Sequence, residues 1–79
     1  MRKVTTRQIL AAILNQALGS TERRRAFMLE LWDCDSFTHM SDKRVGEIHA
    51  LVDPLYVNGA WATSEAFQEM LILWRERNP

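Results

Sequence analysis

Cysteine is nearly absent from this sequence of 79 residues, since Cys34 is the only one. One thiol cannot form a disulfide within the chain, which excludes the disulfide frameworks that hold many small secreted domains together. Cys34, His39 and His49 also lack the paired ligand spacing of a structural zinc site. We therefore expect a cytoplasmic protein that is stabilised by helix packing or by a partner chain.

Long apolar runs are missing as well. No run approaches the roughly 20 apolar residues that a membrane-spanning helix needs. The basic start of the chain is followed by polar residues where a signal peptide has its apolar stretch. With only three glycines, the chain also has no Gly-rich phosphate-binding loop. We expect no membrane partner and no cofactor.

The chain as a whole has no excess of positive or negative charge, but its two parts each do. Residues 1–25 hold six basic residues and one acid, a net charge of +5. Residues 26–79 hold four basic residues and nine acids, a net charge of −5. Such a division predicts two halves that neutralise each other on folding, an antiparallel dimer, or a charged partner.

Helix start signals recur along the chain. Thr5 and Gln8 have the spacing of a capping box, and the apolar residues after them follow helical intervals up to Gly19, which is placed to end the helix. Ser20 or Thr21 is placed to cap a second helix, which we expect to run to about residue 34. The connection is so short that these two helices must be neighbours.

A loop is predicted over residues 33–40, where the helical pattern breaks. Ser41 is placed to cap a third helix. The apolar residues that share a face of this helix are Val45, Ile48, Leu51 and Val52.

Two structures compete for the segment after this helix. A short helical turn over Pro54–Val57 is favoured by proline at a first helical position and stops at Asn58-Gly59. The Asn-Gly pair is also a common turn of a β-hairpin, here between Tyr56-Val57 and Ala60-Trp61. We favour the helical turn, because the strands of the hairpin would be only two or three residues long.

The final helix is predicted from Thr63 or Ser64 to about Arg77. Ile72 and Leu73 fall on the flanks of its apolar face. The residues of that face are Phe67, Met70, Leu71 and Trp74.

The predicted fold is all-α: a single helical domain over residues 1–79, built as a small bundle of three long helices plus one or two short helical turns. The second helix is apolar nearly all round from Ala26 to Trp32, interrupted only by Glu30. Either this helix is central and buried on every side, or its surplus apolar surface forms a dimer or partner interface.

Arg23, Arg24 and Arg25 are three cations in the first turn of a helix, where the helix dipole disfavours each by a few tenths of a kcal/mol. They indicate an anionic partner, either a phosphate backbone or an acidic protein surface. The alternative is a solvated turn, neutralised by Glu22 and the acidic remainder of the chain. Consecutive helix positions fan out over about 200°, so the three side chains cannot all contact one flat surface.

The helix–short turn–helix pattern also raises a helix-turn-helix DNA-binding interpretation. Its contacts would come from the arginine-rich second helix, or from Lys43 and Arg44 at the start of the third. The zero net charge argues against it, because DNA-binding domains are usually basic.

Asp33, Cys34, Asp35 and His39 are the candidate metal ligands. A calcium loop starting at Asp33 would lack glycine at its sixth position and would place Arg44 where a glutamate is needed. Cys34 with a histidine is the only nucleophile–base pair worth considering, and a domain this small seldom builds a deep cavity. We predict no metal site and no catalysis.

Trp61 differs from the other tryptophans because it follows Asn58-Gly59-Ala60, where helical periodicity does not require it. It either plugs the end of the bundle or is an exposed anchor for a partner.

We therefore expect a small non-catalytic protein–protein interaction module. It would be a regulator, adaptor or inhibitor of a larger cytoplasmic protein or complex, of the kind found among bacterial and phage accessory proteins. The partner is another protein, or a second copy in a homodimer. The expected partner-binding residues are Arg23, Arg24, Arg25, Trp61, Ile72 and Leu73. The alternative is a helix-turn-helix-like DNA-binding regulator, with nucleic-acid contacts at Arg23, Arg24, Arg25, Lys43 and Arg44.

Overall fold

The computed structural model describes residues 4–79, which form a mostly helical structure with one small β-hairpin. The four α-helices are α1 (Thr6–Leu18), α2 (Thr21–Trp32), α3 (Asp42–Val52) and α4 (Glu65–Arg77). A 3₁₀ helix, Phe37–His39, lies between α2 and α3. Between α3 and α4, strand β1 (Leu55–Val57) pairs antiparallel with β2 (Ala60–Ala62). No helix of the described part is long and apolar enough to cross a membrane.

The all-α prediction fits most of the chain and needs two corrections. Four α-helices of 11 to 13 residues stand in place of three long ones. The helical turn predicted over Pro54–Val57 is wrong, because this segment forms the first strand of the hairpin. Asn58 and Gly59 both have positive φ, 52° and 79°. That is the backbone of the two-residue turn whose twist matches paired strands, so the turn chemistry prevails despite the short strands.

The predicted helix caps are confirmed. The Thr5 hydroxyl accepts from the backbone N–H of Gln8 at 3.2 Å, and the Gln8 side-chain oxygen accepts from the Thr5 N–H at 3.0 Å. The hydroxyls of Ser20, Ser41 and Ser64 each accept from the backbone N–H three residues later. These bonds satisfy donors that the first helical turn leaves unpaired, and so they fix where each helix begins.

Left-handed residues end the first three helices. Gly19 ends α1 at φ 90°, as predicted, and Asp33 and Asp53 end α2 and α3 at φ 55° and 46°. Aspartate tolerates this conformation better than most non-glycine residues. Helix α2 therefore stops at Trp32, two residues before the predicted end.

The core joins all four helices and the 3₁₀ helix. Phe27 of α2 lies at its centre, fully buried, with its ring edge-to-face against Trp32 and Trp74, both 5.6 Å away between centroids, and Phe67 at 6.2 Å. The buried residues are Leu10, Ile13, Leu14, Leu18, Phe27, Met28, Phe37, Met40, Val45, Ile48, Val52, Phe67, Leu71 and Trp74.

Helix α2 is not buried on every side. Only Phe27 and Met28 of this helix are in the core, while Ala26 is exposed and Leu29 keeps 50% of its surface in contact with solvent. Part of its apolar surplus therefore lies on the protein surface.

Candidate partner-binding surface

The β-hairpin has two chemically distinct faces. In its register Tyr56 pairs with Trp61, so these two side chains share one face of the sheet. Their rings meet edge-on with centroids 5.0 Å apart. Trp61 is half-buried and packs against the core, where it lines a cavity of about 140 Å³ with Ile13 of α1 and Phe67 of α4. Trp61 thus attaches this face of the hairpin to the helices, while Tyr56 beside it keeps 59% of its surface accessible to solvent.

The opposite face, which we call the hairpin surface, consists of Leu55, Val57, Ala60 and Ala62. The register pairs Leu55 with Ala62 and Val57 with Ala60, so all four side chains point the same way. All four are exposed, with 62% of Leu55 and 44% of Val57 accessible to solvent. The outward face of this sheet is therefore entirely apolar.

Both strands also have a free edge within the described structure, because the sheet contains only β1 and β2. Unpaired backbone N–H and C=O groups along an edge are a template for a further strand. Two-stranded hairpins are marginally stable in water unless they gain strands or pack on another element. Trp61 supplies that packing on one face, and nothing in the described chain supplies it on the other.

Two acidic residues flank the hairpin along the chain. Asp53 and Glu65, both exposed, lie just before β1 and just after β2. Between Arg44 and Arg75 the sequence contains no lysine or arginine. The segment that contains the hairpin therefore carries acidic side chains and no lysine or arginine.

Ile72 and Leu73, two of the predicted partner-binding residues, lie on the outer side of α4, each 53% exposed. Adjacent residues of a helix point about 100° apart, and the exposed Glu69 and Glu76 lie between them around the axis. The two side chains therefore belong to a mixed acidic and apolar face and do not form a continuous apolar stripe.

The three adjacent arginines lie in three different environments. Arg23 is half-buried over Trp74, and its guanidinium donates to the backbone oxygen of Asn78 at 2.8 Å. Arg24 is half-buried and lines a cavity. Arg25 is exposed. The sequence-predicted set is therefore not brought together into one patch.

Ion pairs between the basic residues 1–25 and the acidic remainder of the chain neutralise little of the charge of either part. Within residues 4–79, Arg7 pairs with Asp42 at 2.9 Å and Arg77 with Glu30 at 3.2 Å. Only the first of these joins the basic third of the chain to the acidic remainder. The three consecutive arginines form no ion pair with any described residue.

Lys43 and Arg44 lie at the exposed start of α3 and line an open groove of about 570 Å³. The Arg44 guanidinium donates to the backbone oxygen of Trp32 at the end of α2. Glu47 lines the same groove, so these cations do not form an uninterrupted basic surface.

No three potential metal-ligating side chains come together among the described residues. Cys34 is half-buried, and its thiol donates to the backbone oxygen of Ser36 at 3.2 Å.

Leu55 and Val57, which carry most of the hairpin surface, are not among the residues predicted from the sequence. The signal was present in Asn58-Gly59, flanked by β-forming residues. Once that pair is taken as a hairpin turn, alternation places Leu55 and Val57 opposite Tyr56 and Trp61.

No protein-family model, curated protein sequence or solved structure significantly matches this chain.

Proposed function

We propose that this protein is a small non-catalytic interaction module that docks on a larger protein through the hairpin surface. The observation that carries the proposal is the composition of that surface, since Leu55, Val57, Ala60 and Ala62 are all apolar and all exposed. Contiguous apolar surface with a polar rim is a usual mark of a protein interaction site.

The acidic residues that flank the hairpin favour one chemistry of the partner. Asp53 and Glu65 beside the apolar surface favour a partner whose own apolar surface is rimmed by lysine and arginine. The free edge of β1 allows the partner to add a strand, so that main-chain hydrogen bonds contribute affinity and the apolar side chains contribute specificity.

The proposed role depends on binding alone. A module of this kind acts by occupying a partner's surface, as a regulator, adaptor or inhibitor. The exposed Ile72 and Leu73 of α4 offer a second contact to a large partner. The lone Cys34 supports the cytoplasm as its compartment.

The test compares a variant of the hairpin surface with a control variant at an exposed apolar residue elsewhere. The double variant Leu55→Thr/Val57→Thr keeps β-forming residues and makes the hairpin surface polar. The control, Leu29→Gln, removes an equally exposed apolar side chain from α2. The protein captured by the unaltered chain is identified, and its affinity for each variant is measured by calorimetry.

We expect the double variant to bind at least about tenfold more weakly, a loss of about 1.4 kcal/mol, and the control to bind like the unaltered chain. Circular dichroism checks that both retain their helices. Equal binding by the double variant and the control would show that the hairpin surface is not the docking site.

Sedimentation distinguishes a second copy of the chain from a different partner. A 9.2 kDa species at micromolar concentration is expected if the partner is another protein. A dimer that the double variant converts to monomer would place a second copy on this surface instead.

Nucleic acid is the alternative partner. Of the predicted contacts, Arg25 and Lys43 are exposed and make no hydrogen bond through their side chains within residues 4–79, while Arg23 and Arg44 are hydrogen-bonded to the backbone. Binding to DNA would weaken with salt at a slope of about −0.9 per phosphate contact. Absence of retention on a DNA column at low salt would remove this alternative.

A further inference from the structure

A cavity of about 220 Å³ lies where α1 and α2 meet the 3₁₀ helix. The polar residues that line it are Arg7, Gln8, Arg24, Ser36 and Thr38. No acidic residue lines it.

Arg24 is the least satisfied polar residue of this cavity. Its side chain makes no hydrogen bond and no ion pair with the described residues, and its Nε is buried without a partner. A buried donor of a charged group that lacks a partner costs more than a neutral one, because burial removes its hydration. Nη1 and Nη2 of the same guanidinium also have no partner within the described residues, so they remain available to an acceptor that binds in the cavity that Arg24 lines.

Arg7 is held in place by other groups. Its Nε donates to the backbone oxygen of Phe37 at 2.9 Å, and its Nη2 donates to that of Met40 at 2.9 Å. Nη2 also contacts Asp42 at 2.9 Å, but 95% of that carboxylate side chain is in solvent. Water therefore screens the charge of the Asp42 carboxylate. Nη1 of Arg7 makes no hydrogen bond within the described residues.

We infer that this cavity binds a phosphate monoester. Two guanidinium charges match the double negative charge of such a group. The donors are the terminal nitrogens of Arg24 and Nη1 of Arg7, and Ser36 and Thr38 line the same cavity. The remaining volume accommodates a small organic substituent. The site is separate from the hairpin surface in residues and in chemistry, so either proposal stands without the other.

Titration of the ¹⁵N-labelled chain tests the site directly. Inorganic phosphate and methyl phosphate are added at constant ionic strength, with chloride as the balancing anion. We expect saturable shifts of the backbone amides of Ser36–Thr38. Arg24→Gln is expected to weaken binding by at least about tenfold, the equivalent of one charge-assisted hydrogen bond.

Arg25→Gln is the matched control, because it removes the same charge from the neighbouring position on an exposed side chain. It is expected to leave the affinity unchanged. Arg24→Lys keeps the charge without the planar fork and is expected to give an intermediate affinity, which also covers the case in which Arg24→Gln fails to fold.

Three results would overturn the inference. They are the absence of saturable shifts, equal weakening by the Arg24 and Arg25 variants, and an Arg24-dependent affinity that is higher for a dialkyl phosphate than for methyl phosphate. The last would assign the site to a phosphodiester.

Discussion

The guanidinium of Arg23 lies over the indole ring of Trp74, with its central carbon 4.9 Å from the ring centroid. The same side chain donates to the backbone oxygen of Asn78 at 2.8 Å. These two contacts connect the first turn of α2 to the end of α4. One of three consecutive arginines is thus a structural residue, although nothing in Arg23-Arg24-Arg25 distinguishes it from its neighbours.

Replacement of this arginine should lower stability. Arg23→Ala removes a cation–π contact and a charge-assisted hydrogen bond, so we expect the free energy of unfolding to fall by about 1–2 kcal/mol. Urea unfolding followed by tryptophan fluorescence measures it. Arg25→Ala, on an exposed side chain of the same helix, should stay within about 0.5 kcal/mol of the unaltered chain. Equal losses in both would mean that the Trp74 contact contributes nothing.

Arg7 should matter far more than its ion-pair partner. Arg7→Ala removes the donors that satisfy the Phe37 and Met40 carbonyls, and we expect a loss of about 1–3 kcal/mol. Asp42→Asn removes an ion pair whose acid is almost fully exposed, worth about 0–1 kcal/mol. Thermal unfolding of the two variants decides between them. If Asp42→Asn costs as much as Arg7→Ala, the ion pair is the important contact.

Two glycines should respond in opposite directions to the same substitution. Gly59 has φ 79° in the hairpin turn, so Gly59→Ala forces a side chain into a left-handed backbone and should cost about 1–2 kcal/mol of hairpin stability. Gly46 lies inside α3 with open space around it, so Gly46→Ala should stabilise the helix by about 0.5–1 kcal/mol.

Hydrogen exchange of the strand amides and the midpoint of thermal unfolding report these two effects separately. A lower midpoint of thermal unfolding in Gly46→Ala would contradict its place inside α3, and unchanged hairpin exchange in Gly59→Ala would contradict the turn geometry.

Phe27 should be among the most sensitive positions of the chain. Phe27→Ala leaves a cavity among Trp32, Phe67 and Trp74, and we expect a loss of about 3–5 kcal/mol, enough to unfold much of a small domain at room temperature. Leu29→Ala, two residues along α2 on a half-exposed side chain, should cost less than about 1 kcal/mol. Comparable losses in the two variants would show that α2 does not pack as described.

Local signals were sufficient to predict the helices. The capping box of Thr5 and Gln8 and the glycine at position 19 set both ends of α1. The same holds for the serine caps, because a cap is a contact between residues three apart and needs no tertiary structure. The hairpin was predicted wrongly because strand length was given more weight than the backbone preference of Asn58-Gly59.

The candidate sites depended on contacts between residues distant in the sequence. Trp61 was expected either to plug the bundle or to stand exposed, and its half-burial beside Tyr56 reflects packing against α1 and α4. The Arg7–Arg24 cavity could not be predicted from the sequence, because the two arginines lie on different helices. Ser36 and Thr38, which also line it, lie in the connection after α2.

The sequence by itself determined the mostly helical class, the helix starts, and the apolar faces of α3 and α4, because these depend on spacings of three or four residues along one helix. Only the tertiary structure decided which apolar residues are exposed to solvent and which arginines contact other parts of the protein. Leu55 and Val57 are exposed because the hairpin packs on the helices through Trp61, which lies on its other face. Arg23, Arg24 and Arg25 differ because α4, the 3₁₀ helix and solvent lie in three different directions around the same turn of α2.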